Sequence, residues 1–321
     1  INYDDLISLK LEKNLAPILD LINTNIFKDL PLDLFGIDMN KLIEMMASAP
    51  VKVSAFISTL IEIARNHELR QEHFYHSALR SYQEINYNYF KDIEVSVQNF
   101  KKESGLNKLK THDAKELESI LINYFDYEVS EIDIEKYDEL VATRSITIAR
   151  KKNRKLLMNS ELTSSQKKFA LGRELGNCYM NIKKRPFFFP YLSVNSFDEV
   201  LNNFRASYFA NALLIDQETL KKDLGDFISS KTFEASKIMA SLVKYSASPE
   251  MFFHRLTNLL PEFFRLKSLF FLRFSSKQNS DYFSLTKELH LSKLHNPHGN
   301  RIQEHYCRRW ITIEVLKELE K

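Results

Sequence analysis

Phe169-Ala170-Leu171-Gly172-Arg173-Glu174-Leu175-Gly176-Asn177 is the stretch on which the reading of this chain turns. Just ahead of it stands Thr163-Ser164-Ser165-Gln166, a hydroxyl residue with Gln three positions on, before an apolar periodic run. That is a capping box: the Thr side chain accepts from a backbone N–H of the first turn, and the Gln side chain reaches back to the N–H of the cap. A helix is therefore predicted from about Ser165 to Tyr179. On it Arg173 and Asn177 stand one turn apart and point the same way, with Glu174 between them.

Working outward, the composition favours more helices. Only 6 Gly and 8 Pro occur in 321 residues, which disfavours a β-sandwich with its many tight turns. With 24 Phe, the core can be large and aromatic. The length allows two or three domains. Upstream of the capping box, 113–125 is predicted as a helix, 127–134 as a strand, 141–148 as a β-branched strand and 155–158 as a strand returning beside it. The tip Arg150-Lys151-Lys152-Asn153-Arg154-Lys155 is strongly basic, and reads either as a solvated hairpin tip or as a phosphate contact. Gly105 to Thr111 reads as a linker. Residues 1 to about 110 read as helices: 38–65, broken at Pro50, and one long stretch from Glu68 to about Lys102, forming a hairpin or bundle that also pairs two subunits. Downstream, helices are predicted over 197–215 and after Gln217. Another starts at Ser248-Pro249-Glu250, with Pro249 at the first helical position, and runs to about Leu259. Leu269 to Phe274 reads as a strand. A polar loop, an irregular His-rich stretch and a helix from about Thr312 complete the chain. The fold class expected is mainly α with a small β component, α+β.

The stretch 169–177 resembles the active-site helix of the ImmA/IrrE family of zinc metallopeptidases, whose core is His-Glu-x-x-His. In that family the two His hold zinc and the Glu activates a water. Here Glu174 is kept, but the ligand positions hold Arg173 and Asn177. The family's third ligand is an acid early in a downstream helix, followed by Ala, a polar residue, Phe and Ala. This chain has Arg205-Ala206-Ser207-Tyr208-Phe209-Ala210, so the scaffold residues match and the acid is replaced by Arg205. Arginine stays protonated and has no lone pair to give a metal, and two guanidinium groups repel a dication. The resemblance therefore implies a pseudo-metallopeptidase with no catalytic residues and no cofactor. Arg173 and Arg205 then either pair with Glu174 as an ion network or receive an anion.

A second resemblance extends the first. Ser248-Pro249-Glu250-Met251, His254-Arg255-Leu256-Thr257-Asn258-Leu259 and Leu269-Phe270-Phe271-Leu272-Arg273-Phe274 look like the C-terminal half of the short-chain fatty acid transcriptional regulators, the RamB-like group. Those proteins join an Xre-type helix-turn-helix, a helical connector, an IrrE-like domain and a characteristic C-terminal region. The expected division here is 1–110, helical connector and dimerisation region; 111–245, degenerate metallopeptidase domain; and 246–321, C-terminal regulator region. Residues 38–65 lack the Gly-containing turn and polar recognition helix of a helix-turn-helix. DNA binding is thus expected through an N-terminal domain outside this chain.

Near the C-terminus His290, His295, His298, His305 and Cys307 fall close together, ahead of Arg308-Arg309-Trp310. His295, His298, His305 and Cys307 have the residue types of a zinc site, but not the spacing of a familiar finger. Alternatively His305, Tyr306, Arg308, Arg309 and Trp310 contribute to a ligand site together with Arg173, Glu174 and Arg205, the Arg side chains binding phosphate or carboxylate and Trp310 or Tyr306 stacking on an adenine. A packed structural loop is the third reading.

The net charge of +3 neither demands nor excludes nucleic acid. Two distant cysteines imply no disulfide framework and make a reducing, cytoplasmic setting the expectation. No apolar run reaches the roughly 18 residues of a membrane span. The function expected is a ligand-responsive transcriptional regulator, a homodimer sensing an acyl-CoA or similar anionic metabolite. The alternatives are an active ImmA/IrrE metallopeptidase and a non-catalytic protein-docking module.

Overall fold

The helix announced by the capping box forms over Ser164–Tyr179, and both halves of the box are made: Thr163 Oγ1 accepts from the Gln166 N–H at 3.4 Å, and Gln166 Oε1 accepts from the Thr163 N–H at 2.9 Å. The computed structural model describes residues 32–36, 38, 41, 71–106, 112–133, 143–148, 153–190, 193–230, 232, 234–276, 283–291 and 311–319. In chain order its elements are α1 (Gln71–Ile85), α2 (Lys91–Glu103), α3 (Ala114–Phe125), β1 (Tyr127–Ile132), β2 (Ser145–Ile148), β3 (Arg154–Asn159), α4 (Ser164–Tyr179), β4 (Phe188–Phe189), α5 (Phe197–Leu214), α6 (Gln217–Ile228), α7 (Ala235–Tyr245), α8 (Pro249–Phe263), β5 (Phe270–Ser276), β6 (Phe283–His290) and α9 (Ile311–Leu319). Helix dominates and the strands are short, so the class is mainly α with a small β component. No helix among the described residues is long and apolar enough to cross a membrane.

The chain divides into two units, 1–85 with Lys183–Phe204, and Asn86–Ile182 with Arg205–Lys321. In the first, a 3-10 turn at Leu32–Phe35 lies beside α1, and the Phe35 ring meets Tyr82 edge-on at 6.3 Å and Phe197 at 6.2 Å. Phe197 and Val200 are buried there.

In the second unit β1 runs parallel to β3 and β2 antiparallel to it, with Val129 opposite Leu156 and Ile146 opposite Leu157. Leu156 and Met158, two apart and therefore on one face, are buried. Helix α3 presents buried Leu117, Ile120 and Leu121, and packs against α4 and β1. It ends at Asp126, whose left-handed backbone (φ 57°) turns the chain into β1. Phe100 of α2 meets Tyr179 of α4 and Phe209 of α5 edge-on at 5.2 and 5.6 Å, an aromatic knot that joins three helices. Helix α8 opens as expected, with Ser248 as cap accepting from the Met251 N–H and Pro249 in the first turn.

Three expectations need correction. The stretch from Glu68 to Lys102 is two helices, parted where Tyr87 and Asn88 adopt left-handed backbone (φ 48° and 53°). No Gly or Pro marks this break. The wholly buried Asn88 enforces it: its side chain donates to Thr257 Oγ1 at 2.8 Å, and its carbonyl accepts from Asn258 Nδ2 at 2.8 Å. Helix α8 continues through Pro261 to Phe263, beyond the predicted end at Leu259. And the polar loop after Phe274 contains strand β6, which pairs with β5. Phe274 faces Leu285 and Arg273 faces Lys287, so Thr286 is passed over as a bulge, its hydroxyl donating to the Arg273 carbonyl at 3.0 Å. The expected helix or helices over 38–65 lie outside the described residues, apart from isolated positions.

Candidate functional site

Helix α4 buries the polar trio that the sequence singled out. Arg173, Glu174 and Asn177 are 7%, 3% and 7% exposed. Glycine brings a second helix close to them. A Cβ on Gly172 would stand 3.2 Å from Ala210 Cβ, and one on Gly176 would stand 2.8 Å from the Phe209 ring, so α5 crosses α4 with no room for a methyl group at Gly176. The β-sheet supplies the opposite wall.

Glu174 is the centre of the site. Tyr127 of β1 donates its hydroxyl to Oε1 at 2.5 Å, Thr147 of β2 donates to Oε2 at 3.1 Å, and Asn177 Nδ2 donates to Oε2 at 3.3 Å. A buried carboxylate needs such donors, because leaving one short of hydrogen bonds costs several kcal/mol. Next to it on the helix, Arg173 Nε donates to Ser207 Oγ of α5 at 3.2 Å. Arg205, 38% exposed, pairs with Asp92 of α2 at 3.4 Å. The structure therefore draws Arg173, Glu174 and Asn177 into one buried cluster and sets Arg205 in a separate, half-exposed ion pair.

The donor set at the three positions does not fit zinc. Two are guanidinium groups without a lone pair, and the third offers a single amide oxygen, Asn177 Oδ1. Among the described residues no group of three His, Cys, Asp or Glu side chains is placed to hold a metal. His295, His298, His305, Tyr306, Cys307, Arg308, Arg309 and Trp310 lie outside the described residues, as do Arg150, Lys151 and Lys152 of the basic tip.

Sequence reasoning missed a second buried cluster. Arg255 of α8, fully buried, reaches Glu94 of α2 with both terminal nitrogens, at 2.5 and 3.0 Å, and donates through Nε to the Ile215 carbonyl at 3.1 Å. Tyr208 of α5 donates to the same carboxylate at 2.7 Å. Burial works against charge on Arg255, and the Glu94 carboxylate more than restores it, raising its pKa above the ordinary arginine value. Burial, then Glu94, pushes the Tyr208 hydroxyl well above its usual range. Buried Lys101 pairs with the partly exposed Asp216 at 3.2 Å, and Asp216 also caps α6. The available signal was in the motifs: Arg255, Thr257, Asn258 and Tyr208 all belong to segments quoted for their resemblance, and here they serve as packing and polar contacts between helices.

No known family model matches this chain, and neither does any curated protein. Among solved structures, a Mycobacterium tuberculosis transcriptional regulator aligns at a TM-score of 0.49 and 14% identity, over 74% of this chain and 66% of that one. The chain thus spans just under two thirds of that regulator's length.

Proposed function

We propose that this chain is the effector-sensing portion of a transcriptional regulator, built on a metallopeptidase-like helix that no longer performs hydrolysis. The observation that supports this most is the state of Glu174. Its carboxylate is enclosed by Tyr127, Thr147 and Asn177, with a permanent cation at Arg173, where a hydrolase needs a metal and a water. The effector is an anionic metabolite such as an acyl-CoA. Its binding shifts the population between two arrangements of the helices. DNA is the target of the regulator in this reading, and two chains pair through the N-terminal region.

Elemental analysis, a peptidase assay and calorimetry with acetyl-CoA and propionyl-CoA test the reading together. Metal-free protein without cleavage activity, giving saturable heat with a thioester, is the expected result. Stoichiometric zinc, with hydrolysis abolished by Glu174→Gln, overturns it. A docking role has one observation in its favour: α7 leaves Met239 and Val243 61% and 78% exposed on a helix with little burial of its own. Self-association in sedimentation velocity that Met239→Ser and Val243→Ser abolish, with no thioester binding, would favour that role instead.

A further inference from the structure

Arg273 of β5 and Lys287 of β6 stand directly opposite one another, beside the bulge at Thr286. Like charges at opposed positions of a strand pair destabilise it. Both turn to Glu250 in the first turn of α8: Arg273 lies 3.3 Å from its carboxylate, and Lys287 contacts it as well. Burial would raise the Glu250 carboxyl, but Lys287, Arg273 and Arg144 together bring it below the usual carboxylate value. Arg144 stands just ahead of β2, where its carbonyl accepts from the Asn159 N–H at 2.9 Å. One turn along α8, His254 meets the Phe271 ring edge-on at 5.9 Å. Two cations on neighbouring strands thus meet one carboxylate, and they remain 38% and 47% exposed. Arg173 and Arg205, the cations singled out in the sequence, instead contact Ser207 and Asp92.

We infer that Arg273 and Lys287 form the receiving site for the phosphate or carboxylate end of a small anionic effector, with Glu250 holding the cations in place until the effector displaces it. The inference rests on the sensor reading above and locates its binding site. A fixed guanidinium accepts such a group through two parallel hydrogen bonds, and the ammonium of Lys287 adds a point charge beside it. A carboxylate at the centre also selects the class of ligand. A compact anion can take its place between the two cations.

The test is calorimetry on the full chain at low salt, with inorganic pyrophosphate, acetyl-CoA and a DNA duplex of arbitrary sequence as probes. Pyrophosphate and acetyl-CoA should bind wild type, and Arg273→Gln or Lys287→Gln should each weaken them by about tenfold or more. Glu250→Gln removes the competing carboxylate and should tighten both probes several-fold, a gain that a damaged fold does not produce. Weakened or unchanged binding in Glu250→Gln overturns the assignment. So does acetyl-CoA binding that Arg273→Gln and Lys287→Gln leave untouched, which would preserve the sensor reading and move its site elsewhere. Pyrophosphate binding lost in both variants, with no response to acetyl-CoA, supports the site and removes thioesters from the sensor reading. Duplex binding lost in the two variants, with no small-anion binding by wild type, overturns the assignment in favour of nucleic acid.

Discussion

Arg255 and Glu94, 161 positions apart in sequence, meet as a two-pronged ion pair in which neither side chain is more than 6% exposed. The pair joins α8 to α2, and Tyr208 of α5 completes it by donating to the same carboxylate. Two charges taken out of water are tolerated only when their remaining hydrogen-bonding capacity is met. The Ile215 carbonyl and the Tyr208 hydroxyl help to meet it. The stability of this unit should therefore respond asymmetrically to changes at the pair.

Arg255→Met leaves Glu94 buried without its cation and is expected to cost about 3–5 kcal/mol in urea unfolding. The double variant Arg255→Met, Glu94→Met removes both charges and should recover much of that loss. Equal losses in the single and double variants would show that the contact with the Ile215 carbonyl, and not the ion pair, dominates.

The two glycines with contrasting surroundings give a second check. Gly176→Ala drives a methyl group into the Phe209 ring and should destabilise the protein by about 1–3 kcal/mol despite the better helix propensity of Ala. Gly225→Ala in α6, where nothing lies within 4 Å of the new Cβ, should stabilise it by about 0.5–1 kcal/mol. Thermal melts of the two variants must move in opposite directions.

Tyr127→Phe removes the shortest of the named contacts to Glu174 and should cost about 1.5–3 kcal/mol, as expected for a buried hydrogen bond to a charged group. Because this contact ties β1 to α4, hydrogen exchange should quicken along β1 while α8 stays protected. Uniform quickening across the chain would contradict that assignment.

Acid should weaken the fold well before the carboxylates titrate. Burial holds the His112 imidazole below its ordinary value, with Lys101 adding to the effect and Glu116 opposing it. His254 is brought down to about 4, by burial and then by Lys287. For both, the unfolded chain binds the proton more readily than the native one. Their contribution is complete above the unfolded value of 6.5 and is lost as pH falls through the lowered native values, about 4 for His254. Urea midpoints should drop between pH 7 and pH 5, and His112→Phe should flatten part of that slope. A midpoint constant over this range would refute the assignment of neutral, buried imidazoles.

Local chemistry carried the sequence reading a long way. The Thr163–Gln166 box, the Ser248 cap with Pro249, and the β-branched run before the basic tip place α4, α8 and the β2–β3 pair where they form. These signals act within one or two turns of chain and compete with nothing distant. The break at Tyr87–Asn88 was invisible because its cause lies in Thr257 and Asn258, far along the chain. Strand β6 was hidden for a related reason: Lys287 interrupts its apolar alternation, and its partner Glu250 lies on α8. At the candidate site, the resemblance of 169–177 to a His-Glu-x-x-His helix points to Arg173, Glu174 and Asn177. Tyr127 and Thr147 could not be found that way, since strand pairing decides which hydroxyls reach the helix.

The spacing between α4 and α5 is set by Gly172, Gly176, Phe209 and Ala210, none of which carries chemistry. The pair is a chassis whose dimensions are fixed first by this close approach of backbone and small side chains, with the Arg173–Ser207 contact added to it. Side chains at 173 and 177 can therefore be exchanged while the two helices keep their close approach.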